Sequence, residues 1–239
     1  LGIGTQQVGT HGGGGIGPLR TEASTEEALQ RRIGHSCHAT RPHRLGALIG
    51  LYALAKVLEL GDEAVFHATA GTLSGHSLKH LAAALAAWPV LAAVRAAAVA
   101  AAAHFMEAEL AQVPSTGTRT EQAHAMVRAV GAGYMRFAHA ETGLFRTAFG
   151  GRFTVQTHPD PAMGGATGLN PFQHLSAALD DLVTAGALPA ERRPGAEYLA
   201  WSTVHGMALL SIDGPLRGTP QPLLDGLGQR LLDMVERGI

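Results

Sequence analysis

Apolar side chains recur along this chain at intervals of three and four residues, with no alternating series anywhere. That pattern predicts helices and no sheet. In residues 45–60, Leu48, Leu51, Leu54, Ala55 and Leu58 share one face, and Gly61 ends the run. Residues 62–69 read as a second, short helix before a turn at Gly71. Residues 74–87 read as a third, with Ser74 as N-cap. Pro89 then suits the first turn of a long fourth helix running to about Gln112. After a turn at 114–118, residues 120–140 carry a stripe at Ala123, Val127, Val130, Tyr134 and Phe137. Residues 144–149 continue as a short helix, and 150–170 read as a loop. Residues 171–185 form the next helix, ended by Gly186, and 221–237 close the chain with Leu223, Leu224, Leu227, Leu231 and Met234 inward.

The stretch 197–214 departs from the amphipathic pattern. It carries no formal charge from Tyr198 to Ile212. Tyr198, Trp201, His205, Ala208 and Ile212 share one helical face, and Leu199, Val204, Met207 and Leu210 occupy most of the rest. A helix apolar nearly all round is expected to be buried all round. It reads as a central core helix, or as a helix at a subunit interface. Ser202, Thr203 and Gly206 are small enough to admit a second helix closely, although mid-helix glycine costs about 1 kcal/mol.

Residues 1–42 have neither period and are rich in glycine. They are expected to be a flexible or non-native arm, with at most a short helix over 25–33 behind a capping box at Ser24 and Glu27. Arg31, Arg32, Arg41 and Arg44 would let such an arm enter a DNA minor groove.

Composition narrows the class. Of 239 residues, 46% are hydrophobic but only 5% aromatic. Alanine and leucine dominate, which favours an all-α fold. The net charge of −1 gives no global attraction to nucleic acid, so any DNA-reading surface is a local patch. The single cysteine, Cys37, excludes an internal disulfide and a multi-cysteine zinc site. No secretory pattern is visible, and the apolar run 92–103 is too short for a membrane span. A cytoplasmic protein is the expectation.

Enzyme and metal motifs are fragmentary. His11-Gly12-Gly13-Gly14 imitates an esterase oxyanion loop, and Gly75-His76-Ser77-Leu78-Lys79 falls one glycine short of a nucleophile elbow. Neither has a strand to sit on. Among thirteen histidines, His76 and His80 have the i, i+4 spacing of a metal pair, without an evident third ligand. No cofactor, catalytic residue or metal ligand is assigned.

Two segments carry a resemblance. Trp201, His205 and Gly206, then Ile212-Asp213-Gly214, resemble the WHG-type C-terminal domain of TetR-like transcriptional regulators. Upstream, Tyr134, Arg136, Phe137 and Ala138, followed by Leu144-Phe145-Arg146 and Phe149-Gly150, are similar to that family's "YxRFA…PxLFRxxFG" segment. The resemblance extends over 122–214. Before Trp88 it thins: Ala70, Gly71, Gly75 and His80 match the family's recognition-helix pattern, while Leu73, Ser77, Leu78 and Leu81 depart from it.

The resemblance implies three units: an arm over 1–42, a diverged helix-turn-helix DNA-binding domain over 43–88, and a larger helical effector-binding and dimerisation bundle over 89–239. It implies a DNA-binding regulator, most often a repressor relieved by a small apolar effector. Ser74, Gly75, His76, Ser77, Lys79 and His80 would face DNA. Phe105, Met135, Phe145, Phe149, Phe172, Trp201 and His205 would line the effector site, with Met106 and Met207 nearby. Helices 171–185 and 197–213 would form the homodimer. The alternative is a ligand-binding helical dimer whose DNA-reading end has degenerated; a metal protein or esterase stands third.

Overall fold

The computed structural model describes residues 42–150 and 160–238. The candidate arm, its helix over 25–33, Cys37 and the motif at His11 lie outside the described residues. Among the described residues the chain is all helical, with no strand. The helices are α1 (Pro42–Leu60), α2 (Asp62–Ala68), α3 (Gly75–Leu110), α4 (Arg119–Ala140), α5 (Thr142–Phe149), α6 (Pro171–Thr184), α7 (Ala196–Ile212) and α8 (Gln221–Gly238). Short 3-10 turns at Pro161–Met163 and Ala190–Arg192 precede α6 and α7.

Most boundaries follow local chemistry. The Thr118 hydroxyl accepts from the Glu121 amide while the Glu121 carboxylate accepts from the Thr118 amide, closing a capping box at the start of α4. Asn170 and Gln173 make the same reciprocal pair at α6, with Pro171 at its first position. Before α7, Arg193 donates to Asp180, Glu197 and the Ser176 hydroxyl, fastening the connection to α6.

One boundary differs from expectation. Pro89 does not separate a third helix from a fourth; α3 runs unbroken from Gly75 to Leu110 with Pro89 inside it. The missing amide leaves the Leu85 carbonyl without its i+4 donor. Leu85 and Trp88 are exposed there, so water can reach that carbonyl. Strong helix formers flank the site on both sides, at Ala82–Ala84 and from Ala92 onward. At this length and composition α3 could cross a membrane, which the run 92–103 alone could not. Its residues from Ala98 to Ala103 are all buried within the chain, while only 28% of its most apolar window is buried.

A second difference concerns the centre of the fold. The centre of the C-terminal bundle is α4, not α7: α4 contacts α3, α5, α6, α7 and α8, whereas α7 contacts α4, α6 and α8. Val130, Tyr134 and Phe137 on its stripe are almost wholly buried. Gly133 permits the closest approach, since a Cβ there would lie 2.6 Å from the Met106 Cα and 2.8 Å from the Phe105 carbonyl oxygen. Helix α7 is buried along Ala200, Val204, Met207, Ala208 and Ile212, yet Tyr198, Leu199, Leu209 and Leu210 stand in solvent. Among the described residues Leu199, Leu209 and Leu210 of the charge-free stretch therefore form an open face.

The N-terminal helices α1 and α2 pack on the first turns of α3. Gly75 is buried where a Cβ would collide with the Leu58 carbonyl oxygen. Much apolar surface stays open here, including Tyr52, Val57, Leu81 and Trp88, the last 74% exposed.

Candidate functional site

A cavity of about 600 Å3 opens between α3, α4, α6, α7 and α8. That is within the roughly 300–1,000 Å3 typical of small-molecule sites. Val99 and Met106 of α3, Val127 and Val130 of α4, Leu175 of α6 and Val204 of α7 give it apolar walls. Phe149, Phe172 and Trp201 add aromatic surface. Leu232 and Val235 close it from α8.

Three of the aromatic candidates thus line the cavity, and so does Met106. Phe105, Met135, Phe145 and His205 do not, although each packs close behind. Phe145 is almost fully buried, with its ring 6.4 Å from that of Phe137 and 5.6 Å from that of Phe149. Met207 is buried in the chain away from the cavity. Helical periodicity identifies which residues point inward. It does not say which inward residues meet a void and which meet each other.

His205 acts at one remove. Its Nδ1 lies 2.7 Å from the Tyr134 hydroxyl, and the Trp201 Nε1–H donates to the same oxygen at 3.2 Å. Tyr134 and Trp201 both line the cavity, so His205 holds the hydroxyl of a cavity-lining residue. Burial lowers the His205 pKa below its ordinary 6.5 and pushes the Tyr134 phenol up, so both are neutral near neutral pH.

The cavity has a polar end that the apolar pattern did not predict. Arg128 on α4 donates to Gln229, Asp233 and Glu236 on α8. Arg128 and Glu236 both line the cavity. Arg95, the one charge inside the alanine-rich run, also lines the cavity, with its Nε–H 3.2 Å from the Ala148 carbonyl. The signal for both arginines was present in the sequence: Arg128 lies off the apolar stripe of its helix, and Arg95 interrupts an otherwise apolar run.

The loop into α6 is pinned by Glu107. Its carboxylate accepts from the backbone amides of Ala166 and Thr167, both at 2.8 Å, and from the Thr167 hydroxyl at 2.7 Å. His104 Nδ1 is 3.0 Å away and His174 Nε2 3.4 Å. Burial alone would raise the Glu107 pKa. The Thr167 and Ala166 amides, the Thr167 hydroxyl and His104 outweigh it and hold the carboxyl at about 2. Met163 and Asn170, at either end of this loop, line the cavity. Glu107 therefore fixes part of the cavity rim.

The six candidate DNA-facing residues gather at the start of α3. Ser74 caps the helix by accepting from the Ser77 amide at 3.1 Å. Gly75 is a packing residue against α1 and is buried. The His76 amide donates to Asp62 at 2.7 Å, and its Nε2 lies 3.1 Å from that of His80. His76, Ser77 and His80 are exposed. Lys79 is paired with Glu59 of α1 at 2.7 Å, and Lys79 together with Lys56, 2.9 Å from the same carboxylate, draws the Glu59 carboxyl down to about 2. Among the described residues no group of three or more His, Cys, Asp or Glu gathers as metal ligands would. The Gly75–Lys79 motif opens a helix with no strand before it.

Comparison with known proteins bears on the second half of the chain. No curated protein and no solved structure matches it. Residues 127–235 match a family model described as tetracyclin repressor-like, C-terminal domain. The match takes in α5, α6 and α7 whole, most of α4 and α8, and with them most of the cavity wall; it does not reach α1 to α3. Over these residues the chain is similar to the C-terminal domain of tetracyclin repressor-like regulators.

Proposed function

We propose that this protein is a TetR-like, one-component transcriptional regulator, a repressor relieved by a small apolar effector. The observation that carries the reading is the cavity: its walls are largely drawn from the segment similar to the regulator domain, and its lining is apolar with a few polar groups. In this reading α3 presents Ser77, His76 and His80 to DNA, and the protein works in the cytoplasm as a homodimer.

The dimer surface follows from what the single chain leaves open. Leu199, Leu209 and Leu210 on α7 and Leu223 and Met234 on α8 are exposed. Gly206 and Gly226 sit inside these two helices, and a Cβ at either would meet nothing within 4 Å. Each glycine costs helix stability at about 1 kcal/mol, with no return from packing inside the chain. Close approach of a second copy supplies that return. The exposed side of α6, with Ala177, Asp180, Asp181 and Thr184, is polar, so α8 replaces α6 as the partner of α7 in the proposed interface. Two copies bring four helices together.

An effector shifts the dimer only as far as it binds one geometry better than the other. The test is fluorescence anisotropy of the protein on DNA from around its own gene, across a salt series. Saturable, sequence-selective binding with steep salt dependence is the expected outcome. Salt-insensitive or absent binding overturns it.

A second reading is favoured by Lys79. It is the only Lys or Arg in residues 74–88, and Glu59 already holds it. A recognition helix without a free cation lacks phosphate anchors. The protein would then be a ligand-binding dimer with a degenerate DNA end, and the same titration decides between the two.

A further inference from the structure

We propose that His76 and His80 form a two-imidazole site for a divalent late-transition-metal ion such as Zn2+, and that the bound ion gives the start of α3 a cation free to meet DNA. The site stands on its own geometry. Its effect on DNA rests on the regulator reading above.

Two imidazole nitrogens converge on the solvent side of this helix. The Nε2 atoms of His76 and His80 lie 3.1 Å apart, with ring centroids 4.8 Å apart and ring planes at 78°. Zinc binds imidazole nitrogen at about 2.0–2.1 Å, so two such nitrogens on one ion, at octahedral or tetrahedral angles, are about 2.9–3.4 Å apart. The observed spacing falls inside that interval. Residues i and i+4 share a helix face, so the helix itself sets it. Imidazole ligands suit Zn2+, Ni2+ and Cu2+, whereas Mg2+ and Ca2+ require oxygen ligands. A His–His hydrogen bond gives the same distance, but both side chains are exposed and water competes with that bond.

The backbone beneath the pair is held in place. Ser74 caps the helix, the His76 amide donates to Asp62 at 2.7 Å, and Gly75 packs against the Leu58 carbonyl. A pair already positioned loses less freedom on binding. The adjacent cation, Lys79, is engaged by Glu59, and Asp62 brings a negative charge to the same turn. With two protein ligands the ion keeps open coordination positions and stays exchangeable, unlike a closed structural site. An open position accepts a phosphate oxygen. The ion thereby supplies the anchor that Lys79, the only Lys or Arg in residues 74–88, gives to Glu59 instead.

Calorimetric titration of the full chain with Zn2+ compares the unmodified protein, His76→Gln, His80→Gln and the double substitution. The chain has thirteen histidines, so the readout is the difference between proteins rather than total binding. Each single substitution should remove the same one ion, or weaken it by about tenfold or more, since even loss of an outer-shell partner costs about 10–100-fold. The double substitution should remove no second ion, and Mg2+ should not compete. Both side chains are exposed, so the variants should keep their helicity. Identical isotherms for the unmodified protein and either single variant, or two separate losses that add in the double, overturn the site. The anisotropy titration on DNA is then repeated with Zn2+ and with EDTA. Zn2+ should tighten binding by about tenfold, the low end for a charge-assisted contact, and steepen the salt dependence by about one unit. His80→Gln should abolish both effects. Zn2+ effects that His80→Gln retains, or DNA binding indifferent to Zn2+, overturn the role in DNA contact. Protein that binds no DNA in either condition sinks the regulator reading, and the calorimetry alone then decides the metal site.

Discussion

Tyr134 on α4 and His205 on α7 are joined through a 2.7 Å hydrogen bond between the phenol oxygen and Nδ1, inside the wall of the cavity. The Trp201 indole donates to the same oxygen, so three residues from two helices share one polar atom. Removing that atom takes a partner from two part-buried groups, the His205 Nδ1 and the Trp201 indole N–H. Tyr134→Phe is expected to cost about 1–3 kcal/mol, read as a lower thermal midpoint, and to weaken ligand binding at the same time. His205→Ala should cost a similar amount. If Tyr134→Phe is neutral in both measurements, the cluster has no structural or binding role.

Acid should weaken the fold through two kinds of group. His205 and His174 are both pushed below the ordinary 6.5 by burial, Glu107 opposing the shift at His174. The unfolded chain therefore binds protons that the native state refuses. Stability is full above 6.5 and falls as pH drops below it toward the lower native values. Glu107 acts lower: its contribution is full above the ordinary 4.5 and is lost as pH falls toward about 2. Denaturant unfolding at about pH 7 and about pH 5 should show the first limb, and His205→Gln should make it shallower. A stability flat across that interval rules the account out.

Glu107→Gln removes a charge that two backbone amides and a hydroxyl address. The expected loss is about 1.5–3 kcal/mol, the range for charge-assisted hydrogen bonds. The amides of Ala166 and Thr167 should also exchange with solvent faster, because the rim loop loses its anchor. Unchanged exchange at those two amides would mean the loop is held by other contacts.

Glycine substitutions separate the two ends of the molecule. Gly133→Ala places a methyl against the backbone of Met106, so it should destabilise the bundle by about 1–3 kcal/mol or more. Gly75→Ala strikes the Leu58 carbonyl instead, loosening α1 from α3. Ligand binding should fall with the first substitution and persist with the second. Equal loss in both would show that the N-terminal helices and the cavity unfold as one unit.

Leu199→Arg with Met234→Arg places charge on the open faces of α7 and α8. Both side chains are more than half exposed, so a monomer should tolerate the change. Sedimentation at micromolar concentration should show a dimer for the unmodified protein and a monomer for the double variant, with helicity unchanged. A dimer that survives both charges lies elsewhere on the molecule.

Periodicity in the sequence determined most of the helices. The stripe at Ala123, Val127, Val130, Tyr134 and Phe137 is buried on α4; on the closing helix Leu224 turns inward as expected, but Leu223 and Met234, expected inward, are exposed and Leu232 takes the buried position. Those features depend on residues three and four apart, which a helix brings together by itself. Pro89 was ambiguous at that level, because proline starts a helix or sits within one according to whether its freed carbonyl meets water. Only the exposure of Leu85 and Trp88 settled it. The cavity was legible only in part for a related reason. Phe145 and Phe149 share a segment and a chemistry, yet one fills the core and the other faces the void. Arg128 meets Glu236 across 108 positions of chain. Such pairs depend on how whole helices lie against one another, so tertiary packing decided which inward residues form the cavity and which face of α7 stayed open.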